Sequence, residues 1–418
     1  MDKLVINGGS PLYGEIKISG AKNAVLPIMA ATIIQGGIYR LENVPKLKDT
    51  YTMKKLLEMI GAKVSFTENI MIIDTSSCDN PVAPYELVKT MRASFYVLGP
   101  FLSRFNYAEV SLPGGCAWGP RPVNYHLEAM ESLGVEVELD EGMMKLKGNM
   151  VGNEINFIQK SVGATGNAIM AAVKAKGVTI INNASIEPEI ESLCEFLILM
   201  GANIDGVGTE KLVIVGKKKL HTDITYKIIP DRIEAGTFLI AAAITNGEII
   251  LNCVNALHMK ILLEYLKKTG YELSIEKNSI KISPKSRTIS PVNIVTSEYP
   301  GFPTDLQAQW MALMTKSNSS STIVEKIYPD RYTHIAELRR LGAKINLNDN
   351  VAYINGNSEL KGAPVMSTDI RASASLIIAA LAAKGETTIS RIYHIDRGYE
   401  KIESKLIDLK ADIKRIND

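Results

Sequence analysis

Leu57-Glu58-Met59-Ile60-Gly61-Ala62-Lys63-Val64 reads as the end of a helix, a glycine, a small residue and the start of a strand. A glycine at this place is the usual left-handed C-cap, which turns a helix back onto a sheet. The phrase recurs along the whole chain. It returns as Met130-Glu131-Ser132-Leu133-Gly134-Val135, as Leu199-Met200-Gly201-Ala202-Asn203-Ile204 and as Leu266-Lys267-Lys268-Thr269-Gly270-Tyr271. Two further copies are Leu338-Arg339-Arg340-Leu341-Gly342-Ala343-Lys344-Ile345 and Leu406-Ile407-Asp408-Leu409-Lys410-Ala411-Asp412-Ile413, the last with Lys410 where the others have glycine. The glycines at 61, 134, 201, 270 and 342 are spaced by 73, 67, 69 and 72 residues, and Lys410 follows after 68.

A second phrase keeps the same beat. Ala168–Gly177 followed by Val178-Thr179-Ile180-Ile181 predicts an Ala-rich helix, a glycine C-cap and a β-branched strand. Phe238–Gly247 and Leu376–Gly385 repeat it, and Ile28–Gly37 matches loosely. The chain therefore reads as six repeats, each with two helices and several strands. Six repeats fit either a solenoid or two closed domains. Solenoid repeats run about 20–50 residues and need atypical ends. Three repeats in each of two domains suit 418 residues better, with the mid-chain boundary near Ile228-Ile229-Pro230, where a proline interrupts a strand-like run. The fold class expected is α/β (α+β).

The composition is that of a globular protein, with 46% apolar and 22% charged residues. Forty-seven Lys and Arg against 45 Asp and Glu leave a formal charge of +2, which gives no footprint for nucleic acid or anionic lipid. An anionic ligand would need a local cluster of cations. Apolar stretches such as Val25–Ile34 are about ten residues long, short of the roughly 18 that a membrane-spanning helix requires. Met1-Asp2-Lys3 is not followed by a signal-peptide core, and Cys78, Cys116, Cys194 and Cys253 have no metal-ligand spacing. A cytoplasmic chain with reduced thiols, no metal and no cofactor is the expectation, and no oligomeric partner is indicated.

Four segments put reactive or charged residues in loop-like sequence. Lys22 stands in Gly20-Ala21-Lys22-Asn23-Ala24, at the start of an apolar helix whose dipole it opposes, so it needs a partner. A bound anion is the natural one; a solvated lysine is the plain alternative. Cys116 lies in Pro113-Gly114-Gly115-Cys116-Ala117-Trp118-Gly119-Pro120-Arg121-Pro122, where no regular structure is expected and a nearby cation would favour the thiolate. Cys78, Cys194 and Cys253 read as inert core residues. In Tyr299-Pro300-Gly301-Phe302-Pro303-Thr304-Asp305-Leu306, Thr304 or Asp305 would by default cap the next helix. Asp-x-Arg or Asp-Arg occurs at Asp369/Arg371, Asp396/Arg397 and Asp231/Arg232, each open to explanation as an internal ion pair. Together Lys22, Arg121, Arg371 and Arg397 suit a phosphate-bearing ligand bound between two domains. No Walker or Rossmann glycine pattern points to ATP or NAD.

Eight segments in register, Gly20–Ala24, Pro113–Ala117, Arg121-Pro122-Val123, Ser161–Thr165, Pro230–Thr237, Phe302–Gln309, Asp369–Ser375 and Ile392–Glu400, resemble the enolpyruvyl transferases, and among them those that act on UDP-N-acetylglucosamine. The resemblance implies an inside-out α/β fold with three βαβαββ repeats per domain, one domain spanning 22–229 and the other 1–21 with 230–418. It implies that the sugar 3-hydroxyl attacks C2 of phosphoenolpyruvate in an addition–elimination that expels phosphate, the first committed step of peptidoglycan synthesis. By matching position Cys116 would be the acid at C3 and Asp305 the acceptor of the hydroxyl proton. Lys22, Arg121 and Arg397 would hold phosphate and carboxylate, with Asp369 and Arg371 nearby. Asn23, Arg92, Arg121, Pro122, Val123, Asn124, Tyr125, Ser161, Val162, Gly163 and the main chain at Ile327 would meet the nucleotide sugar. A family member using shikimate 3-phosphate as acceptor, or a silent binding paralogue, is the alternative. Trp118, Pro120 and Asn124 depart from the residues common in the family.

Overall fold

The computed structural model describes residues 2–89, 91–112 and 123–417, without the side chain of Arg92. The chain divides into two compact units, residues 20–229 and the residues up to Ser19 together with those from Pro230 on. The division falls before Gly20 and not after residue 21. Ala21 N–H donates to the carbonyl of Ile229 at 2.7 Å, which ties residue 21 to its own unit.

Among the described residues each unit carries three four-stranded sheets. The repeat is plainest at Glu154–Val215: strand Glu154–Asn156, helix Val162–Ala172, strand Val178–Asn182, helix Pro188–Leu199, then strands Asn203–Asp205 and Lys211–Val215. The first two strands pair in parallel, Glu154 opposite Ile180, as a helical crossover permits. The last strand lies antiparallel between the second and the third. Residues 82–147 and 294–355 build the same βαβαββ arrangement.

The other three repeats are completed by strands from far along the chain. Ile224–Lys227 pairs in parallel with Ile38–Glu42, and Tyr13–Lys17 pairs in parallel with Glu248–Asn252. Lys3–Gly8 is the antiparallel strand between Gly385–Ser390 and Asp412–Ile416.

The first helix of a repeat is apolar nearly all round, and such a helix must be buried. In Val162–Ala172 every residue from Ala164 on is buried, and in Arg232–Ile244 every residue from Ile233 on. Alanines dominate these helices, so their neighbours can approach closely. Each unit has one continuous apolar core. In the second, Trp310 is fully buried, its Nε1–H donating to Val292 O at 3.2 Å and its ring edge-on to Phe302.

The repeated glycines take the left-handed conformation expected, with φ of +103° at Gly61, +82° at Gly134, +88° at Gly201, +104° at Gly270 and +95° at Gly342. Lys410 holds the same place at φ +67°. Gly247 does not: Asn246 takes the left-handed turn at φ +51° instead. Gly247 is needed for space, since a Cβ there would lie 2.4 Å from the carbonyl oxygen of Leu12.

Candidate active site

Asp305 sits in the short turn Thr304–Leu306 that leads into helix Gln307–Met314. Neither Thr304 nor Asp305 caps that helix, against the default expectation. The Asp305 carboxylate is held from two sides. Oδ1 lies 2.9 Å from Arg331 Nη1, and Oδ2 lies 2.6 Å from Arg371 Nη2. The Asp305 side chain is 24% exposed, while those of Arg331 and Arg371 are 8% and 9% exposed. Burial alone would raise the carboxyl's pKa, but the charges of Arg371 and Arg331 outweigh it and hold Asp305 well below the usual carboxylate range. Arg371 is correspondingly raised.

Arg371 starts the buried helix Ile370–Ala382. The expected ion pair within Asp369-Ile370-Arg371 is not what organises this turn. The Asp369 carboxylate accepts the backbone N–H groups of Arg371 and Ala372 at 2.8 and 3.1 Å, capping the helix and freeing the guanidinium for Asp305. Asp231 caps helix Arg232–Ile244 in the same way. Asp396 takes Arg415, at 2.6 Å, as its partner. Arg397 is half-buried at the end of the turn Ile392–Arg397. Behind Arg371, Tyr399 OH lies 2.8 Å from Thr237 Oγ1 and 3.5 Å from Arg371 Nη1.

Sequence reasoning missed Arg331, which lies in Tyr328-Pro329-Asp330-Arg331 outside any repeated phrase. It also missed Glu325, a fully buried carboxylate. Its Oε1 accepts Thr296 Oγ1–H at 2.7 Å, Ile327 N–H at 2.9 Å and Tyr328 N–H at 3.0 Å, and its Oε2 accepts Thr304 Oγ1–H at 2.9 Å. His334, 1% exposed, is lowered to about 4 by burial, with Asp369 pulling it up and Arg331 pushing it down, so it is neutral near pH 7.

In the unit 20–229, Gly163 packs beside the buried pair His126 and Asn167. Ser161 caps helix Val162–Ala172 through Ala164 N–H, and the Gly163 Cα faces the His126 ring so closely that a Cβ would come within 3.1 Å of it. Tyr125 OH reaches Gln159 at 3.4 Å, and Asn124 bonds Glu128 at 3.1 Å. His126 Nδ1 lies 2.9 Å from Asn167 Nδ2. Asn167 also donates to Phe95 O at 3.0 Å and accepts from Gly99 N–H at 2.9 Å. Asn167, fully buried in the helix that Ser161 caps, thereby joins that helix to the turn Arg92–Val97, to the start of helix Leu98–Phe105 and to His126. Nothing in the repeat pattern singled it out.

Lys22 Nζ lies 2.8 Å from Asp49 Oδ2. Asn23 beside it is exposed. Cys116, Arg121 and Pro122 lie outside the described residues. Among the other cysteines, burial raises Cys78 to about 11 and Cys194 to about 12. Cys253 is exposed, not in the core as expected, and occupies a left-handed turn at φ +57°.

The family description EPSP synthase (3-phosphoshikimate 1-carboxyvinyltransferase) matches residues 6–406. UDP-N-acetylglucosamine 1-carboxyvinyltransferase of Prosthecochloris aestuarii is 52% identical over 100% of this chain and 99% of its own. Its namesake from Chlorobium chlorochromatii is 51% identical over 99% of each. Among solved structures, the enolpyruvyl transferase NikO from Streptomyces tendae superposes with a TM-score of 0.92 at 24% identity, covering 100% of this chain and 99% of that one. EPSP synthase from Acinetobacter baumannii superposes with a TM-score of 0.75 at 16% identity over the whole of both chains. With six βαβαββ repeats, a carboxylate clamped between two arginines and relatives half identical from end to end, the chain belongs to the UDP-N-acetylglucosamine 1-carboxyvinyltransferases within the EPSP synthase family.

Proposed function

We propose that this chain transfers the enolpyruvyl group of phosphoenolpyruvate to the 3-hydroxyl of UDP-N-acetylglucosamine, with Asp305 as the acceptor of the hydroxyl proton. The observation that carries the assignment is the position of Asp305, still 24% exposed, between two buried guanidiniums. Kinship at 52% identity supports the choice of acceptor.

Attack of the sugar oxygen on C2 forms the C–O bond, while the hydroxyl proton passes to Asp305 and C3 takes a proton from the Cys116 thiol. The resulting ketal breaks its C2–O bond to phosphate and loses a proton from C3, giving the enolpyruvyl ether and inorganic phosphate. Asp305 is ionised at any working pH, so it is always ready to accept a proton but weakly basic while both arginines hold it. Drawing one guanidinium toward the phosphate or carboxylate of phosphoenolpyruvate raises its basicity at the moment it is needed. Lys22, Arg121, Arg371 and Arg397 offset the charge of the departing phosphate. Asn23, Arg92, Arg121, Pro122, Val123, Asn124, Tyr125 and Ser161–Gly163 are assigned to the nucleotide sugar, as is the main chain at Ile327.

No helix among the described residues is long and apolar enough to cross a membrane. A cytoplasmic location belongs to the same proposal. The test is phosphate release from phosphoenolpyruvate with each acceptor in turn. Release with UDP-N-acetylglucosamine alone is expected, and release only with shikimate 3-phosphate would overturn the assignment.

A further inference from the structure

We infer that Glu325 is a positioning residue which locks the loop of the catalytic carboxylate and the loop at Ile327 into one rigid piece. The inference rests on the reading above, in which Asp305 takes the proton and the Ile327 main chain meets the nucleotide sugar. Glu325 is fully buried at the end of strand Ser321–Val324. A carboxylate in such a place needs several donors, and four converge on it. Two are the backbone N–H groups of Ile327 and Tyr328, which fix the loop after the strand. The third, Thr296 Oγ1–H, comes from the residue after the adjoining strand Ile294–Val295, and the same hydroxyl accepts Lys326 N–H at 2.9 Å. The fourth, Thr304 Oγ1–H, belongs to the residue immediately before Asp305.

The Thr304 hydroxyl oxygen in turn accepts from Arg331 Nη1 at 3.0 Å, and that same nitrogen lies 2.9 Å from Asp305 Oδ1. Glu325, Thr304, Arg331 and Asp305 thus form one unbroken chain of charge-assisted contacts. The Oε1 side sets the Ile327 loop and the Oε2 side sets the Asp305 turn. Their relative position is fixed by the width of one carboxyl group. Proton transfer needs the acceptor within hydrogen-bond reach of the sugar hydroxyl, and a displacement near 1 Å is enough to cost about a hundredfold in rate.

The two sides can be cut separately. Glu325→Gln keeps an oxygen for the Ile327, Tyr328 and Thr296 donors, and its amide can donate to Thr304 Oγ1, whose hydroxyl turns round. It should retain activity within a few-fold. Glu325→Ala abandons all four donors, and kcat/KM for UDP-N-acetylglucosamine should fall by about tenfold to a hundredfold. Thr304→Val removes only the Oε2 side, so kcat should drop on the order of tenfold while KM for the nucleotide sugar stays near that of the parent. The measurements are steady-state phosphate release with each substrate varied, and thermal unfolding of every variant. Rescue by Gln and a kcat effect without a KM effect in Thr304→Val support the positioning role. A Thr304→Val protein with unchanged kcat, or Glu325→Gln as impaired as Glu325→Ala, overturns it; the Thr304→Val result decides should Glu325→Ala not fold. Asp305→Asn is run alongside. If it keeps parental turnover, the underlying assignment of Asp305 fails; if it loses turnover while the Thr304 and Glu325 variants do not, only the positioning inference fails.

Discussion

Replacing Asp305 by Asn removes the negative charge that two buried guanidiniums share while leaving size and shape almost unchanged. Arg331 and Arg371 are each only 7% exposed as residues. Taking away their common partner leaves two like charges facing a neutral amide. Breaking a buried pair from one side costs about 3–5 kcal/mol. The amide oxygen of Asn still accepts one hydrogen bond, and the 24% exposure of the side chain adds screening, so the lower end, about 3 kcal/mol, applies. For a compact unit of this size that corresponds to a fall in Tm of roughly 6–12 °C. The pH dependence fixes the cause. Asp305 is ionised in the folded state well below its unfolded pKa of about 4. Its contribution is therefore fully present above that value and lost as pH falls toward the folded pKa. Differential scanning calorimetry should show a constant difference between parent and variant from pH 8 to pH 5, shrinking below about pH 4. Phosphoenolpyruvate should raise the Tm of the variant more than that of the parent, since the freed guanidiniums offer themselves to the ligand. A variant as stable as the parent at pH 7, or a difference that already vanishes near pH 6, would refute the account of the clamp.

Lys405→Met strands the Glu234 carboxylate, 2.7 Å from Lys405 Nζ and 3% exposed, and should cost about 3–5 kcal/mol at pH 8 by calorimetry. Burial already raises Glu234 above its ordinary value, so the folded state holds its proton more tightly than the unfolded chain. The variant's deficit should narrow as pH is lowered toward 4, and a deficit that widens there would contradict this. A phosphonate epoxide should label Cys116 in peptide mapping and spare Cys78 and Cys194, whose thiols burial raises to about 11 and about 12; exposed Cys253 is the control, and an adduct there instead would remove Cys116 as the acid. Gly134→Ala forces a Cβ onto φ +82° with no atom within 4 Å to clash, so backbone strain alone should destabilise by about 1 kcal/mol. Lys410→Gly should stabilise by roughly the same amount, since it relieves a left-handed lysine at φ +67°, and opposite signs in urea melts would disprove the shared-turn reading.

The period of the fold was open to sequence reasoning because each repeat ends a helix on a residue with positive φ, and glycine advertises that need. Lys410 shows the geometry persisting where the letter does not. Strand partnership was not legible, because nothing in Tyr13–Lys17 or Ile224–Lys227 says that its neighbour lies some two hundred residues away. At the candidate site, Asp305 and Arg371 stood in recognisable segments, whereas Arg331 joins them only through tertiary packing. The Asp-x-Arg phrases misled in a specific way. A carboxylate two residues ahead of an arginine at a helix start is better used on the unpaired backbone N–H groups, as Asp369 is, than on the side chain beside it. The Lys22–Asp49 pair was equally hidden, since Asp49 belongs to a helix that no local motif linked to Lys22. Asn167 and Glu325 left no signal because buried hydrogen-bonding partners have no spacing rule.

The strand Lys3–Gly8 has consequences for how the protein is made. It is made well before its two neighbours, Gly385–Ser390 and Asp412–Ile416, which follow it at a separation of some four hundred residues. At roughly 5–20 residues per second, synthesis holds those partners back for some tens of seconds. Over that interval residues 20–229 can close on their own core, since every strand of their three sheets has already emerged. Lys3–Gly8 cannot. Its apolar Leu4, Val5 and Ile6, all buried in the finished molecule, stay without a sheet to enter until the final repeat arrives. Seating of Lys3–Gly8 therefore waits on residues made long after 20–229 can close, so the two units are completed in a fixed order.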